Sequence, residues 1–401
     1  MVNELEDVLM REYGANVELY STLTKDAGFS LKTRNYINKG CLYLRIPHTC
    51  LLHCRSIYIT ERYSKSLLNK LNATQILSIH LSKLKLSDGQ FSQFERTYLD
   101  SLPKDLNFHP LYWDTDSLTS LPNYSQKLIN DVKKRYLNDY ELFENNFEES
   151  GASEHLQKEY KSVFLWSWLI VNTRCLWYPV KDVPKESQLA LCPYLDLLNH
   201  NSPSPNTENL FSSLPKPQIP QEGGYELINQ SDQVVEKDSE VFFMYGPHSD
   251  SSLLAEYGFC LGWEKNAFTE CNISELIISM VTTDWRKDEL ESNGLWDDYT
   301  LHLYPSPAYP SQRTLSALRL ICLEENQIEE WRKTLRYEQE SVSEENEGKM
   351  REELVKVCEL VSKRSSEAIE KSANETIRII WEAELETANQ VKRSTLSNVI
   401  F

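Results

Sequence analysis

The feature that most constrains this 401-residue chain is a pair of strand-rich stretches that are separated by a long helical one. Residues 17–54 contain the β-rich runs VELYST, GFSLKT and LYLRIP, and strand signals return after residue 191 in GYELIN and SEVFFMYG. Between them, runs such as TQILSIHLSKLKL repeat apolar residues at helical spacing. Because an isolated hairpin is barely stable, we expect the two strand-rich parts to pair in one sheet system.

Residues 265–401 are rich in charged residues and are predicted to be helical, because apolar residues such as Leu354, Val357 and Val361 recur at helical spacing. The pattern therefore predicts an α+β fold with an all-helical C-terminal domain. The predicted domain boundaries place a first β part at 1–56, a helical insertion at 57–190, a second β part at 191–264 and the helical domain at 265–401.

The composition limits the classes of partner. The formal net charge is −18, which disfavours a dedicated nucleic-acid binder and suits a Lys-rich protein partner. The N-terminus lacks the layout of a signal peptide, and no apolar run approaches the roughly 18 residues of a membrane span. The nine cysteines form no CxxC pair, which is typical of free thiols in a reducing compartment. We therefore expect a cytoplasmic or nuclear protein.

Polar residues interrupt an apolar run in PYLDLLNH, at Asp196, Asn199 and His200. Two Tyr-Gly pairs follow, in EVFFMYGPH at 240–248 and in EYGF at 256–259. Taken singly, these are ordinary features, because Tyr-Gly is often a turn and Asp-x-x-Asn is often a cap. Their order along the chain is more specific than any one of them.

Together with further motifs, this order resembles the SET-domain protein-lysine methyltransferases of the Rubisco large-subunit methyltransferase-like branch. The first match, GFSLKTRNYINKG, is similar to the opening motif of the family. The other matching segments, in chain order, are TQILSIHL, YLDSLP, HPLYW, WSWLIVNTR, LDLLNH, SEVFFMYG and LLAEYGF. The resemblance implies a split SET β-domain with a threaded pseudoknot, a helical insertion and a helical substrate-binding domain.

The resemblance also implies the chemistry, which is transfer of a methyl group from S-adenosylmethionine to a lysine amine without a metal ion. Tyr245 and Tyr257 would be catalytic, with Tyr257 forming a wall of the lysine channel. The implied cofactor-binding residues are Ala27, Gly28, Phe29, Arg174, Asp196, Asn199, His200 and Tyr245, with Arg174 pairing with the carboxylate of the donor. Asp196 would brace the loop rather than contact the donor directly.

The chain departs from the pattern of the family at Ser30, where a second glycine is usual, and at Asn201, where a serine is usual. Two other functions therefore stay open, namely a SET module that binds a partner with weak or no catalysis, and a metal-dependent hydrolase using Asp196, His200 and His248. The expected substrate is a lysine of a ribosomal protein or translation factor, with a histone tail as the alternative. We expect a monomer that binds neither nucleic acid nor membranes.

Overall fold

A computed structural model describes residues 2–24, 28–205, 214–397 and 399 of the chain. Its helices are α1 (Val2–Tyr13), α2 (Ile57–Thr60), α3 (Lys65–Lys70), α4 (Ala73–Lys85), α5 (Gln93–Ser101), α6 (Thr115–Thr119), α7 (Asn123–Asn145), α8 (Gln157–Arg174), α9 (Asp250–Tyr257), α10 (Ser274–Met280), α11 (Asp284–Ser292), α12 (Gln312–Ile321), α13 (Ile328–Leu335), α14 (Glu344–Lys371) and α15 (Glu375–Leu396). Within the described ranges, no helix is long and apolar enough to cross a membrane.

The strands are short, with none longer than six residues among the described ones. They are β1 (Asn16–Val17), β2 (Leu19–Thr24), β3 (Gly28–Thr33), β4 (Leu42–Ile46), β5 (Leu176–Trp177), β6 (Leu189–Ala190), β7 (Asn199–His200), β8 (Tyr225–Ile228), β9 (Phe242–Phe243), β10 (Glu270–Asn272), β11 (Thr300–His302) and β12 (Tyr309–Pro310).

The described residues divide into two compact units. The first unit comprises the described residues of 2–112, 129–201 and 214–246, and the second comprises those of 113–128, 202–205 and 247–397.

In the first unit, the two strand-rich parts of the sequence pair with each other as predicted. β4 lies between β1 and β8 in an antiparallel sheet, with Ile46 opposite Tyr225. Isolated bridges join Lys32 to Glu240 and Ile37 to Val235. The segment before the insertion and the segment after it therefore form one sheet system, although about 130 residues separate them in sequence.

Apart from α1, the helices of the first unit lie in segment 57–190, the predicted insertion. Helix α4 begins with a capping box in which Asn72 and Gln75 each accept a backbone N–H of the other, and its Leu77 is fully buried. The Asp139 carboxylate accepts hydrogen bonds from Gln75 Nε2 and Trp168 Nε1, both at 2.7 Å. Asp139 thereby ties α7 to both α4 and α8.

The second unit has its own apolar core, in which α14 packs along α15. The predicted stripe on α14 is buried at Leu354, Val357 and Val361. The region is mainly helical, but it also contains an antiparallel sheet in the order β10–β11–β12, so the prediction of an all-helical domain was wrong in this detail. Strands of two or three residues are too short to show an alternating pattern in the sequence.

Candidate active site

Strand β3 provides the first edge of the site. Gly28 has a φ of 70°, a left-handed conformation that favours glycine, although an added Cβ would meet nothing within 4 Å. Ser30, which replaces the usual second glycine, lies within β3 without positive φ, is fully buried, and has its Oγ 3.0 Å from Thr22 Oγ1. The serine is therefore accommodated by β2 and β3, and the backbone at this position does not require glycine.

The segment 195–200, here called the 195–200 loop, provides the second edge. It begins as a 3-10 turn at Leu195–Leu197 and continues into β7, which pairs in parallel with β9. Leu195, Leu197 and Leu198 are all buried, as expected for the anchors of the loop. The residue before the loop, fully buried Tyr194, has a φ of 75°, which is uncommon for a bulky side chain.

Asn199 links the 195–200 loop to β3. Its Nδ2 donates to the backbone oxygen of Phe29 at 3.3 Å and to Glu240 Oε1 at 2.9 Å. Both neighbours are acceptors, so the amide must turn its nitrogen towards them. Its Oδ1 receives no hydrogen bond from the described residues and is the group that can accept from a ligand.

Arg174, at the end of α8, lies beside Asp196. Its Nη1 donates to the backbone oxygen of Asp196 at 2.6 Å. No other residue in the described part of the chain accepts a hydrogen bond from the guanidinium, so its remaining N–H groups can bind a ligand. The Asp196 carboxylate is buried and accepts from the Tyr98 hydroxyl at 2.6 Å. Burial raises the pKa of Asp196 to about 6, although Arg174 and Tyr98 favour its ionised form. The side chain of Asp196 therefore braces the loop from inside the protein.

His200 and Tyr245 form the third contact. His200 Nδ1 accepts the backbone N–H of Tyr245 at 3.0 Å, which fixes the proton of the neutral ring on Nε2. The Tyr245 hydroxyl donates to the backbone oxygen of Leu198 at 2.8 Å, and the His200 and Tyr245 rings lie 5.1 Å apart. A hydroxyl that donates in this direction can still accept an N–H or polarised C–H group.

The first unit thus brings together six of the predicted site residues, Phe29, Arg174, Asp196, Asn199, His200 and Tyr245, and Gly28 adjoins them in β3. Ala27 lies outside the described residues. Tyr257 belongs to the second unit, where its ring lies 6.0 Å from that of His248 and 6.2 Å from that of Phe259. Burial raises the pKa of Tyr257.

Two contributors to the site were missed at the sequence level. Tyr98 lies in the quoted segment YLDSLP, but its bond to Asp196 joins residues 98 positions apart. Glu240 is the first residue of the quoted segment EVFFMYGPH, but its bond to Asn199 joins residues 41 positions apart. The sequence signal for these two residues was the order of the motifs, which places the segments of Tyr98 and Glu240 in the same predicted methyltransferase fold.

The residues fit a donor such as S-adenosylmethionine, which offers a carboxylate, an ammonium group and a purine. The Arg174 guanidinium suits a carboxylate, and the Asn199 Oδ1 suits an N–H donor. A metal site has less support, because in the described part of the chain no three His, Cys, Asp or Glu side chains are placed to hold an ion.

Comparisons with known proteins relate this chain to protein-lysine methyltransferases. The family described as Rubisco LSMT substrate-binding matches residues 282–393. Ribosomal lysine N-methyltransferase set11 of Schizosaccharomyces pombe is 29% identical over 303 residues, which are 74% of this chain and 68% of that protein. SET domain-containing protein 4 of Homo sapiens is 26% identical over 343 residues, which are 82% and 74% of the two chains.

Among solved structures, the SET domain of LSMT bound to lysine and AdoHcy superposes with a TM-score of 0.67 at 16% identity. The match covers 99% of this chain and 91% of that one. At 16% identity the match shows a shared fold and no more. It confirms the predicted α+β architecture, with a split β-domain and a helical C-terminal region.

Proposed function

We propose that this chain, which belongs to the SET-domain methyltransferases of the Rubisco large-subunit methyltransferase type, methylates a lysine of a ribosomal protein or translation factor. It is an S-adenosylmethionine-dependent protein-lysine N-methyltransferase. The observation that carries the proposal is the cluster in which Asn199 bridges Phe29 and Glu240 while His200 holds the backbone of Tyr245. This cluster joins the segments that bind the donor to the tyrosine that would meet the amine.

The reaction breaks the bond between sulfur and the methyl carbon and forms a bond from that carbon to the lysine nitrogen. S-adenosylmethionine, when bound, supplies the methyl group on a positively charged sulfur. The amine must be unprotonated, yet an exposed lysine has a pKa of about 10.4. A desolvated channel and a nearby positive charge both lower that pKa. The proton that the lysine loses passes to water, and positioning supplies much of the rate.

We assign each residue of the cluster one role, either in binding the donor or in orienting the lysine amine. Arg174 pairs with the donor carboxylate, and the Asn199 Oδ1 accepts an N–H of the donor. The backbone around Gly28 and Phe29 lines the donor, and Ala27 remains a predicted member of this edge. The Tyr245 hydroxyl, already donating to the backbone oxygen of Leu198, accepts from the lysine amine and orients it.

We also propose a function for each segment of the chain. Segments 1–56 and 191–264 form the catalytic SET domain, 57–190 is its helical insertion, and 265–401 binds the protein substrate. Tyr257 forms a wall of the lysine channel and limits the number of methyl groups added. The match of residues 282–393 to a substrate-binding family supports the role of the C-terminal segment.

The substrate class is supported by charge and by relatives. The net charge of −18 attracts Lys-rich proteins, a class that includes ribosomal proteins and histone tails. The name of set11, ribosomal lysine N-methyltransferase, favours a ribosomal target over a histone tail. The corresponding compartment is the cytoplasm, the nucleus or both. We propose that the protein acts as a monomer.

Mass spectrometry of cells that lack this protein tests the proposal. We expect one methyl-lysine to disappear from a ribosomal protein or translation factor, and to return with the wild-type chain but not with Tyr245→Phe. Return of the mark with Tyr245→Phe would contradict the catalytic role. Loss of a histone mark alone would assign the substrate to the alternative class. If donor binding is retained but no mark changes, the chain is a binding module.

A further inference from the structure

Glu240 lies at the junction of the two segments that the site brings together. Its backbone bridges Lys32 of β3, and the next residue, Val241, donates its N–H to the backbone oxygen of Leu31 at 2.9 Å. Its side-chain Oε1 accepts a hydrogen bond from Asn199 Nδ2 at 2.9 Å. Glu240 is thus held by β3 through its backbone and holds the 195–200 loop through its carboxylate.

We propose that Glu240 is a positioning residue that sets the orientation of the Asn199 amide for donor binding. The inference rests on the proposed function, because it assumes that Asn199 contacts the methyl donor. Glu240 does not touch the donor in this account. It acts by fixing which atom of Asn199 faces the ligand.

Asn199 Nδ2 donates to two acceptors of unequal strength. The Phe29 backbone oxygen, at 3.3 Å, is a distant neutral acceptor, whereas the Glu240 carboxylate, at 2.9 Å, is a close anionic one. Hydrogen bonds to an ionised acceptor are stronger than those between neutral groups. Glu240 is therefore the stronger of the two groups that keep the nitrogen turned inward and the Oδ1 available.

Without the carboxylate, the amide would keep only the longer bond to Phe29. It could then rotate about its terminal torsion, which has a broad energy profile. A rotated amide offers N–H groups where the donor needs an acceptor. Loss of Glu240 should therefore weaken donor binding without unfolding the protein.

The test compares Glu240→Ala, which removes the acceptor, with Glu240→Gln, which keeps an acceptor oxygen but removes the charge. A matched control is Glu226→Ala. Glu226, like Glu240, is a partly exposed carboxylate of the first unit; it lies in β8 and pairs with Arg45 at 3.4 Å. Calorimetry would measure the Kd of the full-length variants for S-adenosylmethionine and for S-adenosylhomocysteine. Thermal unfolding would show that each variant is folded.

We expect Glu240→Ala to raise both Kd values about tenfold, Glu240→Gln to stay within about threefold of wild type, and Glu226→Ala to have no effect. In kinetics, Glu240→Ala should raise the KM for the donor but leave the KM for the protein substrate unchanged. In the free protein, the NMR signals of the Asn199 side-chain amide should shift in Glu240→Ala and keep their positions in Glu226→Ala.

A double-mutant comparison decides whether Glu240 acts through Asn199. If it does, Asn199→Ala combined with Glu240→Ala should bind the donor no more weakly than Asn199→Ala alone. A further tenfold loss in the double variant, or unchanged binding in Glu240→Ala, would overturn the inference. If the wild type itself fails to bind the donor, the proposed function fails first and the inference falls with it.

Discussion

Asp196 carries a buried carboxyl group whose protonation is coupled to folding. Its pKa is raised from about 3.8 to about 6, so the folded chain binds a proton more readily than the unfolded chain between these values. Its contribution to stability is therefore fully present below the unfolded pKa and is lost as the pH rises through about 6. Compared with Asp196→Asn, the wild type should lose roughly 1–3 kcal/mol of unfolding free energy across this window.

Urea unfolding of both proteins from about pH 3.5 to about pH 7.5 measures this difference, since most of the change falls between the two pKa values of about 3.8 and about 6. The Asn side chain still offers an oxygen to the Tyr98 hydroxyl, so the variant should remain folded. Parallel stability curves for the two proteins would show that the Asp196 carboxyl group has an ordinary pKa in the folded state.

The proposed catalytic role of Tyr245 depends on its hydroxyl oxygen and can be tested separately from donor binding. Tyr245→Phe removes the hydroxyl that donates to the backbone oxygen of Leu198, while the backbone N–H that His200 accepts is retained. We expect donor affinity to stay within about threefold and the rate of methyl transfer to fall about 100-fold or more, since in the proposed mechanism the hydroxyl orients the amine. Single-turnover kinetics and calorimetry measure the two effects.

Tyr225→Phe is the matched control for this prediction. The Tyr225 hydroxyl also donates to a backbone oxygen, that of Trp177 at 2.6 Å, and it belongs to the same unit. Its loss should leave methyl transfer unchanged. Equal rate losses in both variants would mean that Tyr245 acts only by stabilising the fold.

At the scale of elements, the hairpin of β2 and β3 carries the clearest departure from the family pattern. Ser30→Gly restores the usual glycine, but it removes a buried hydroxyl bonded to Thr22 and adds backbone freedom to a strand. We expect a loss of about 1–2 kcal/mol in unfolding free energy and an unchanged Kd for the donor. Urea unfolding and calorimetry check both. Tighter donor binding in Ser30→Gly would show that the serine impairs the site.

Some helices and strands could be predicted from the sequence, and others could not. β-rich runs predicted β3 and β4, and apolar residues at helical spacing predicted α4. The burial itself is less regular, because β3 and β4 each bury two adjacent residues and α4 is buried at every position from Gln75 to Leu84. These sequence signals missed β10–β12, because two- and three-residue strands carry no period. The order of the motifs placed Asn199 near Tyr245, but no local pattern indicates that Tyr98 supports Asp196 or that Glu240 holds Asn199. Such bonds depend on how distant segments pair in the fold.

At the scale of the whole molecule, charge should govern the encounter with the protein substrate. The net charge of −18 attracts a Lys-rich target over long distances, and salt screens such attraction. Raising the ionic strength from about 50 mM to about 300 mM should increase the KM for the protein substrate roughly tenfold. The Kd for the donor, measured over the same range, should change much less because the donor is small and contacts the site directly. A KM independent of salt would mean that apolar contacts select the substrate.

The central claim is that this chain transfers a methyl group to a lysine of the translation machinery. The most direct measurement incubates purified protein and S-adenosylmethionine carrying a labelled methyl group with ribosomes and soluble factors from cells that lack the protein. We predict that wild type and Tyr225→Phe label one lysine in this material, and that Tyr245→Phe does not. If the wild type binds the donor yet transfers no label to any protein in it, the claim is contradicted.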